Sequence, residues 1–377
     1  EGTETLTATV QGQSASVTVN DTSINSIVNS SLHGIAYDWK SHCLLSGVNV
    51  TAAGGGQPPE GANAPIQFKN ITWDATGHGT AEVWGHASGS YENFNANVHV
   101  TGASSVAFAS NLDANKWTVL ANTPAGSNNS ILIGGFTSDV AAAVASGDYK
   151  LGTVSFESGA ATQVGLVLDF GQTGQTSGGS YGQSLARMMS DASGHFEVGG
   201  IDAGNYALTA TRSVSDIGNA VTSADALAAL KMSVGLNPNA TVNGVQLALS
   251  PYQVMAADVV GTDGRVTSAD ALAILKMSVQ ISTAPAKEWM FVEETRDLWD
   301  EVGGKFTMDK DHATWNHALG ANAQGNTAVN LVGVLKGDVN GSWQAPAGTA
   351  DLDVLQPNYF DSLHNLLNAP PSQWGII

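Results

Sequence analysis

The sequence predicts a mainly β protein carrying one small helical insert. Three observations point that way. Short alternating runs are separated by Gly, Asn and Ser, the pattern of half-buried strands. Charged residues make up only 12% of the 377, about half the usual quarter, so long charge-laced helices are excluded. A single helical pattern of 14 residues occurs twice, and only twice.

Charge and cysteine narrow the classes. There are 14 Lys+Arg against 33 Asp+Glu, a net charge of −19. That balance excludes nucleic acid and anionic membranes as partners, because phosphate binding needs clustered Lys and Arg. A hydrophobic content of 42% excludes a wholly disordered acidic polymer. Cys43 is alone, so stability must come from cores, metals or assembly rather than an internal disulfide. No apolar run approaches the roughly 18–20 residues that span a bilayer. The first residues carry neither an initiator Met nor a secretory signal, which implies a processed or excised chain.

The elements follow in order. Thr5–Val10 and Ala15–Val19 alternate strictly. Further strands are expected at Phe68–Trp73, Thr80–His86, Asn97–Val100, Val106–Ala109, Lys116–Leu120, Ser130–Phe136, Leu151–Glu157 and Gln163–Phe170, which together favour a β-sandwich over 1–174. One helix is expected at Ser138–Ala145, where Ser and Asp precede an alanine-rich turn. Gln172–Ser184, rich in Gly, Gln, Ser and Thr, reads as a linker. Then Asp191 and Gly194 suit a tight turn into a strand through Phe196 and Val198, and Gly204 turns the chain back through Tyr206, Leu208 and Ala210.

The repeat is the most informative feature. Val221–Val234 returns as Val266–Val279 with 13 of 14 positions identical, Ala229 and Ile274 being the difference. Each copy has Thr or Ser as N-cap and an early Asp suited to the helix dipole. Leu227, Leu230 and Val234, matched by Leu272, Leu275 and Val279, form apolar stripes at helical spacing. Between the copies, Ser250-Pro251 opens a further capped helix, Tyr252–Ala257. The expected units are 1–174, 175–283 and a β-rich 284–377.

Acids cluster around these helices. Asp258–Asp270 places carboxylates before a Gly turn, then a β-branched residue, then an acid opening a helix, the order of an EF-type calcium loop. Calcium is a hard cation taking six to eight oxygens, hence the need for several acids and backbone carbonyls. Gly337–Trp343 is a third candidate: Asp338, Asn340 and Ser342 reproduce the alternating oxygens of a loop's first half, with closure expected from Asp351 or Asp353.

Taken together, Ser213–Gln280 resembles the duplicated loop–helix unit of dockerins. That resemblance implies that Asp258 opens the second loop, Asp263 precedes the turn Gly264, the Arg265 carbonyl and Thr267 fall mid-loop, and Asp270 closes it. The loop is one residue longer than twelve, and Val260 stands at a polar ligand's place. In the first loop Val214 stands where the opening acid belongs. Asp216, Asn219, Thr222 and Asp225 are the candidates there, with Asn219 in the left-handed turn normally given to Gly. Tyr149–Phe156 with Val164–Leu168 resembles a cohesin-type sandwich, and Asp191–Leu208 resembles the final hairpin of carboxypeptidase-regulatory-like or prealbumin-like sandwiches. These resemblances imply a bacterial extracellular or cell-surface structural module with Ca2+ as its cofactor.

Signals of catalysis are incomplete. Gly77-His-Gly-Thr80 lacks the serine motif that would make a protease triad, and Gly178-Gly-Ser-Tyr-Gly182 lacks the strand-to-helix turn of a nucleophile elbow. His33, His42, His78, His86 and His99 fit no recognised ligand spacing. Trp289, Trp299, Trp315 and Trp343 suit core packing better than a sugar platform. The expectation is a non-enzymatic, calcium-stabilised chain that self-assembles into a filament, layer or matrix. Its contacts would run through the sandwich and dockerin-like parts or through addition of the segment Glu4–Val10 to a neighbour's sheet edge. The rival readings are an adhesin or scaffold module docking a different protein, and the accessory region of a secreted glycan-active enzyme.

Overall fold

The computed structural model describes residues 2–10, 13–21, 30–54, 65–74, 76–174, 176–178, 181–242, 244–247, 249–261, 264–296, 298–302, 305–308 and 319–360. The chain opens with β1 (Gly2–Val10), β2 (Gln13–Asp21), β3 (Ser30–Asp38) and β4 (Asn49–Gly54). A run of strands follows: β5 (Ile66–Trp73), β6 (His78–Ala87), β7 (Asn93–Thr101), β8 (Ser105–Ser110), β9 (Thr118–Asn122) and β10 (Ser130–Phe136). Next come β11 (Gly147–Glu157), β12 (Gln163–Thr173), β13 (Thr176–Gly178), β14 (Tyr181–Met189), β15 (His195–Ile201) and β16 (Gly204–Thr211). The helical region holds α1 (Ser223–Ser233), the small β17 (Thr241–Val242) and β18 (Val245–Gln246), α2 (Pro251–Ala257) and α3 (Ser268–Ser278). Last are β19 (Trp289–Glu293), β20 (Trp299–Val302), β21 (Lys305–Met308), β22 (Leu319–Ala323), β23 (Asn326–Ala328), β24 (Leu331–Leu335) and α4 (Leu352–Leu355).

The fold is mainly β, as the alternation predicts. A nine-stranded sheet runs β22-β16-β4-β14-β12-β7-β10-β9, with β13 on β12. A four-stranded sheet, β5-β6-β11-β8, faces part of it, and the two share a core of Ile66, Val83, Val98, Ile133, Val154 and Leu166. A five-stranded sheet runs β15-β3-β24-β19, with β23 on β3. Every residue of β24 is buried, which is why Leu331-Val-Gly-Val-Leu335 reads as a continuous apolar run rather than an alternating one.

Backbone pairing crosses the boundaries expected at 174 and 283. β4 lies between β14 and β16, and β3 between β15 and β24, so early strands are embedded among much later ones. Alternation marks a strand but says nothing of its partner. Three local expectations are corrected as well. The hairpin expected over Asp191–Leu208 does not form, because β15 pairs with β3 in one sheet and β16 with β4 and β22 in another. The polar stretch from Gln172 is not a linker: β12 ends at Thr173, and β13 and β14 follow at once, both paired with β12. A ladder is satisfied by backbone groups, so small polar residues build strands where the sheet supplies neighbours. The helix expected at Ser138–Ala145 is a single 3-10 turn, Val140–Ala142, capped by Asp139 and ended where Ala143 turns extended.

Candidate functional site: a paired loop and helix unit

α1 and α3 pack against each other through Ala226, Ala229, Ala271, Ala273, Ile274 and Met277. Both begin with the same capping box. The Thr222 hydroxyl accepts from the Ala224 N–H, and one carboxylate oxygen of Asp225 takes the Thr222 N–H and hydroxyl at 2.8 Å each. At α3, Thr267 and Asp270 repeat this at 2.8 and 2.7 Å. These contacts follow from the repeated Thr-Ser-Ala-Asp, since a helix start leaves N–H donors that short side chains satisfy.

The second carboxylate oxygen shows what completes each helix. Asp270 Oδ1 accepts the N–H of Val260 at 2.8 Å, from the loop directly before α3. Asp225 Oδ1 accepts the N–H of Asn340 at 3.0 Å, from a loop 115 residues later. The two partners occupy equivalent places, Asp258-Val-Val-Gly261 and Asp338-Val-Asn-Gly341, and Val259 and Val339 are buried in one cluster. Gly261 and Gly341 both take positive φ, 89° and 65°, where a glycine costs least. A bond from the Gly337 N–H to the Ala256 carbonyl, 2.8 Å, ties the later loop to the end of α2, just before the earlier one. The carboxylate that hydrogen-bonds this loop's backbone at Asn340 is thus Asp225.

Four carboxylates sit inside this unit. Asp225, Asp258 and Asp270 are fully buried and Asp338 is 2% exposed. Asp258 Oδ2 accepts from the Gly264 N–H at 2.7 Å, while Asp338 accepts from the N–H groups of Ser342 and Trp343 at 2.8 Å each. Burial pushes Asp338 up to about 7, opposed by its backbone donors and helped by the carboxylates of Asp225 and Asp38. Burial also raises Asp225 and, outside the repeat, Asp38.

The remaining candidate ligands lie elsewhere. Asp216 is held by the Arg212 guanidinium through two bonds of 3.0 and 2.5 Å, which commits its carboxylate to an ion pair. Arg212 in turn lies over Trp289 and Trp343, which pack edge to face at 5.0 Å. Asn219 is exposed, and the left-handed turn falls on Gly218, φ 51°, because glycine takes it without a Cβ clash. Arg265 and Thr267 face solvent, and Asp263 lies outside the described residues. The Ser342 hydroxyl donates to the Ala220 carbonyl at 2.9 Å, stapling this loop to the chain before α1. Asp351 caps α4, and Asp353 lies 2.7 Å from His42 Nδ1.

Residues that could hold a cation are thus Asp258 with Asp270, and Asp338 and Asn340 with Asp225. Among the described residues no three His, Cys, Asp or Glu side chains converge into a metal group. Each loop would therefore have to supply backbone carbonyls, amide oxygens and water as the further donors, which suits a hard cation alone. Sequence reasoning missed that Asp338 and Asp225 belong together. The recurrence of Asp-Val-x-Gly at 258 and 338 was the signal that could have found it.

The predicted apolar stripes face outward. Leu227, Leu230 and Val234 are 54, 45 and 67% exposed, and Leu272, Leu275 and Val279 are 54, 42 and 62% exposed. Alanines, with Ile274 and Met277 of α3, fill the helix–helix contact instead. Other sequence signals disperse: His78 pairs with Glu157, His86 with Asp148 and His99 with Ser130. Trp289 and Trp343 are buried, and the side chains at 299 and 315 lie outside the described residues. Among the described residues no helix is long and apolar enough to cross a membrane.

No family model and no curated protein matches this sequence. Among solved structures, the chain is similar to the cohesin module of a family 33 glycoside hydrolase from Clostridium perfringens. The identity is 9% and the TM-score 0.22, over 42% of this chain and 95% of that one. It is also similar to the full-length major pilin SpaD of Corynebacterium diphtheriae, at 10% identity and a TM-score of 0.24, over 50% of this chain and 88% of that one.

Proposed function

We propose that this is a non-enzymatic extracellular structural protein that assembles with copies of itself, and that the paired loop and helix unit is a calcium-stabilised docking element. The observation that carries the reading is the duplicated exposed apolar face. Six large apolar residues from two near-identical helices point to solvent on one small unit, and Leu236 and Ile281, 60 and 48% exposed, extend it. Contiguous exposed apolar surface marks an interaction site. Lys231 and Lys276 lie in the last turns of the same helices, in a chain of net charge −19. A second copy, acidic overall, offers carboxylates with which these lysines can pair.

Calcium would act on the carboxylates beneath that face. Burying a carboxylate is costly, as the upward shifts of Asp338 and Asp225 reflect, and a cation held between loop and helix would offset that cost and couple metal binding to folding. The test is sedimentation of the purified chain with calcium and with chelator, beside Leu230→Lys/Leu275→Lys. Calcium-dependent species heavier than the monomer, reduced by the double variant, support the reading. A wild-type monomer under both conditions sinks self-assembly. Polymers indifferent to chelator sink the calcium part alone.

A further inference from the structure

A second contact between copies is written into the sheet edges. β1 and β2 pair with each other along their whole length, from Gly2↔Asp21 to Val10↔Gln13, and among the described residues join no other sheet. The register puts positions Leu6, Ala8 and Val10 on one face with Ala15, Val17 and Val19, and that face also takes Glu4 opposite Val19 and Gln13 opposite Val10. Thr3, Thr5, Thr7 and Thr9 share the opposite face with Ser14, Ser16 and Thr18. A two-stranded hairpin alone is marginal in water, so one that pairs with no further strand among the described residues is stabilised by adding one.

The matching edge is β9, which ends the nine-stranded sheet and, among the described residues, pairs on one side only, with β10. Natural edges are protected by charge, proline or a bulge. Thr118-Val-Leu-Ala-Asn122 contains no charge and no proline, and its register with β10 is unbroken. Leu120, on the outward face, is 67% exposed, and the adjoining Leu132 and Phe136 of β10 are 44 and 56% exposed. The other sheet ends differ. β5 and β15 carry register shifts, β19 ends in Glu293, and β8 and β22 expose only small or polar residues.

We infer that the β1–β2 hairpin of one copy adds edge to edge to β9 of a second copy, continuing the nine-stranded sheet across the boundary between them. Main-chain hydrogen bonds supply the affinity, and the row through Leu120 and Leu132 gains apolar neighbours from the hairpin. Donor and acceptor lie on different parts of the chain, so the contact is head to tail and propagates unless the rotation closes a ring.

This inference rests on the reading that the chain assembles with itself, but on a different surface from the helix face. Its test therefore uses the full chain carrying Leu230→Lys/Leu275→Lys, so that the helices contribute nothing. In that background one variant lacks residues 1–21 and another carries Leu120→Lys/Asn122→Lys, both read by sedimentation with circular dichroism as the fold control. The parent should form oligomers and each variant should lose them. An equimolar mixture of the two should give a 1:1 dimer and nothing larger, because one keeps the acceptor and the other the donor. Oligomers that survive loss of residues 1–21, or a mixture that stays monomeric, would overturn strand addition. A monomeric parent would also overturn it, while leaving the helix-face reading intact if the wild-type chain assembles.

Discussion

Asp338 is the residue whose ionisation reports most directly on the loop unit. Its carboxyl is nearly inaccessible, faces Asp225 and Asp38 electrostatically, and is pushed up to about 7, against about 3.9 in an unfolded chain. Between those values the folded state holds a proton that the unfolded state has released. Stability in chelator should therefore fall as pH rises from about 4 to about 7 and level off above, by at most about 4 kcal/mol. Asp225 and Asp38 act in the same direction. Asp338→Asn should flatten this slope, which thermal melts at stepped pH with chelator would check; an unchanged slope would place the proton elsewhere. Under the proposed calcium role, affinity for the ion should rise through the same window, since a carboxylate must lose its proton to bind it.

The two helix starts allow a comparison at the scale of the element. Thr267 caps Ala269, and its hydroxyl also donates to Asp270, which in turn holds the Val260 N–H. Thr267→Ala should cost about 1–2 kcal/mol in urea unfolding, and Thr222→Ala a similar amount. A loss below about 0.3 kcal/mol at either would show that the box does not hold its loop. These elements were legible because their causes are local. Caps, turn glycines and 3.6-residue spacing placed α1, α2 and α3, and alternation placed most strands from β5 to β12. What was not legible depended on partners distant in sequence. β3 and β4 gave no signal strong enough to name, β13 and β14 were hidden in polar text, and the stripes of Leu and Val pointed outward because alanines took the inner face. Within the site, Asp258, Asp270 and Asp225 were readable from the helix motif, but Asp216 was lost to Arg212 and the role of Asp338 required the fold.

At the scale of the whole molecule, interleaving governs what can be cut. β4 has β14 on one side and β16 on the other, and β3 contacts β15, β23 and β24. A fragment ending at residue 174 would leave both strands without those neighbours and expose Leu32 and Val50, whose core partners Phe196 and Leu208 lie beyond the cut. Such a fragment should lose the cooperative transition of the full chain and become protease-sensitive across 30–54, whereas a sharp melt with those residues protected would show a self-sufficient first unit. Charge distribution follows the same architecture, with acids gathered at the loop unit while β7, β9 and β10 carry none.

The loop shared between residues 225 and 340 also sets an order in time. α3 can cap and close on Val260 as soon as its own segment leaves the ribosome, because every partner lies within a dozen residues. α1 cannot: its last partner, Asn340, is 115 residues downstream, about 6 to 23 s of synthesis at ordinary rates. Of two helices with nearly one sequence, the one translated first is thus completed last, and during that interval its buried-to-be carboxylate stays wet and ionised.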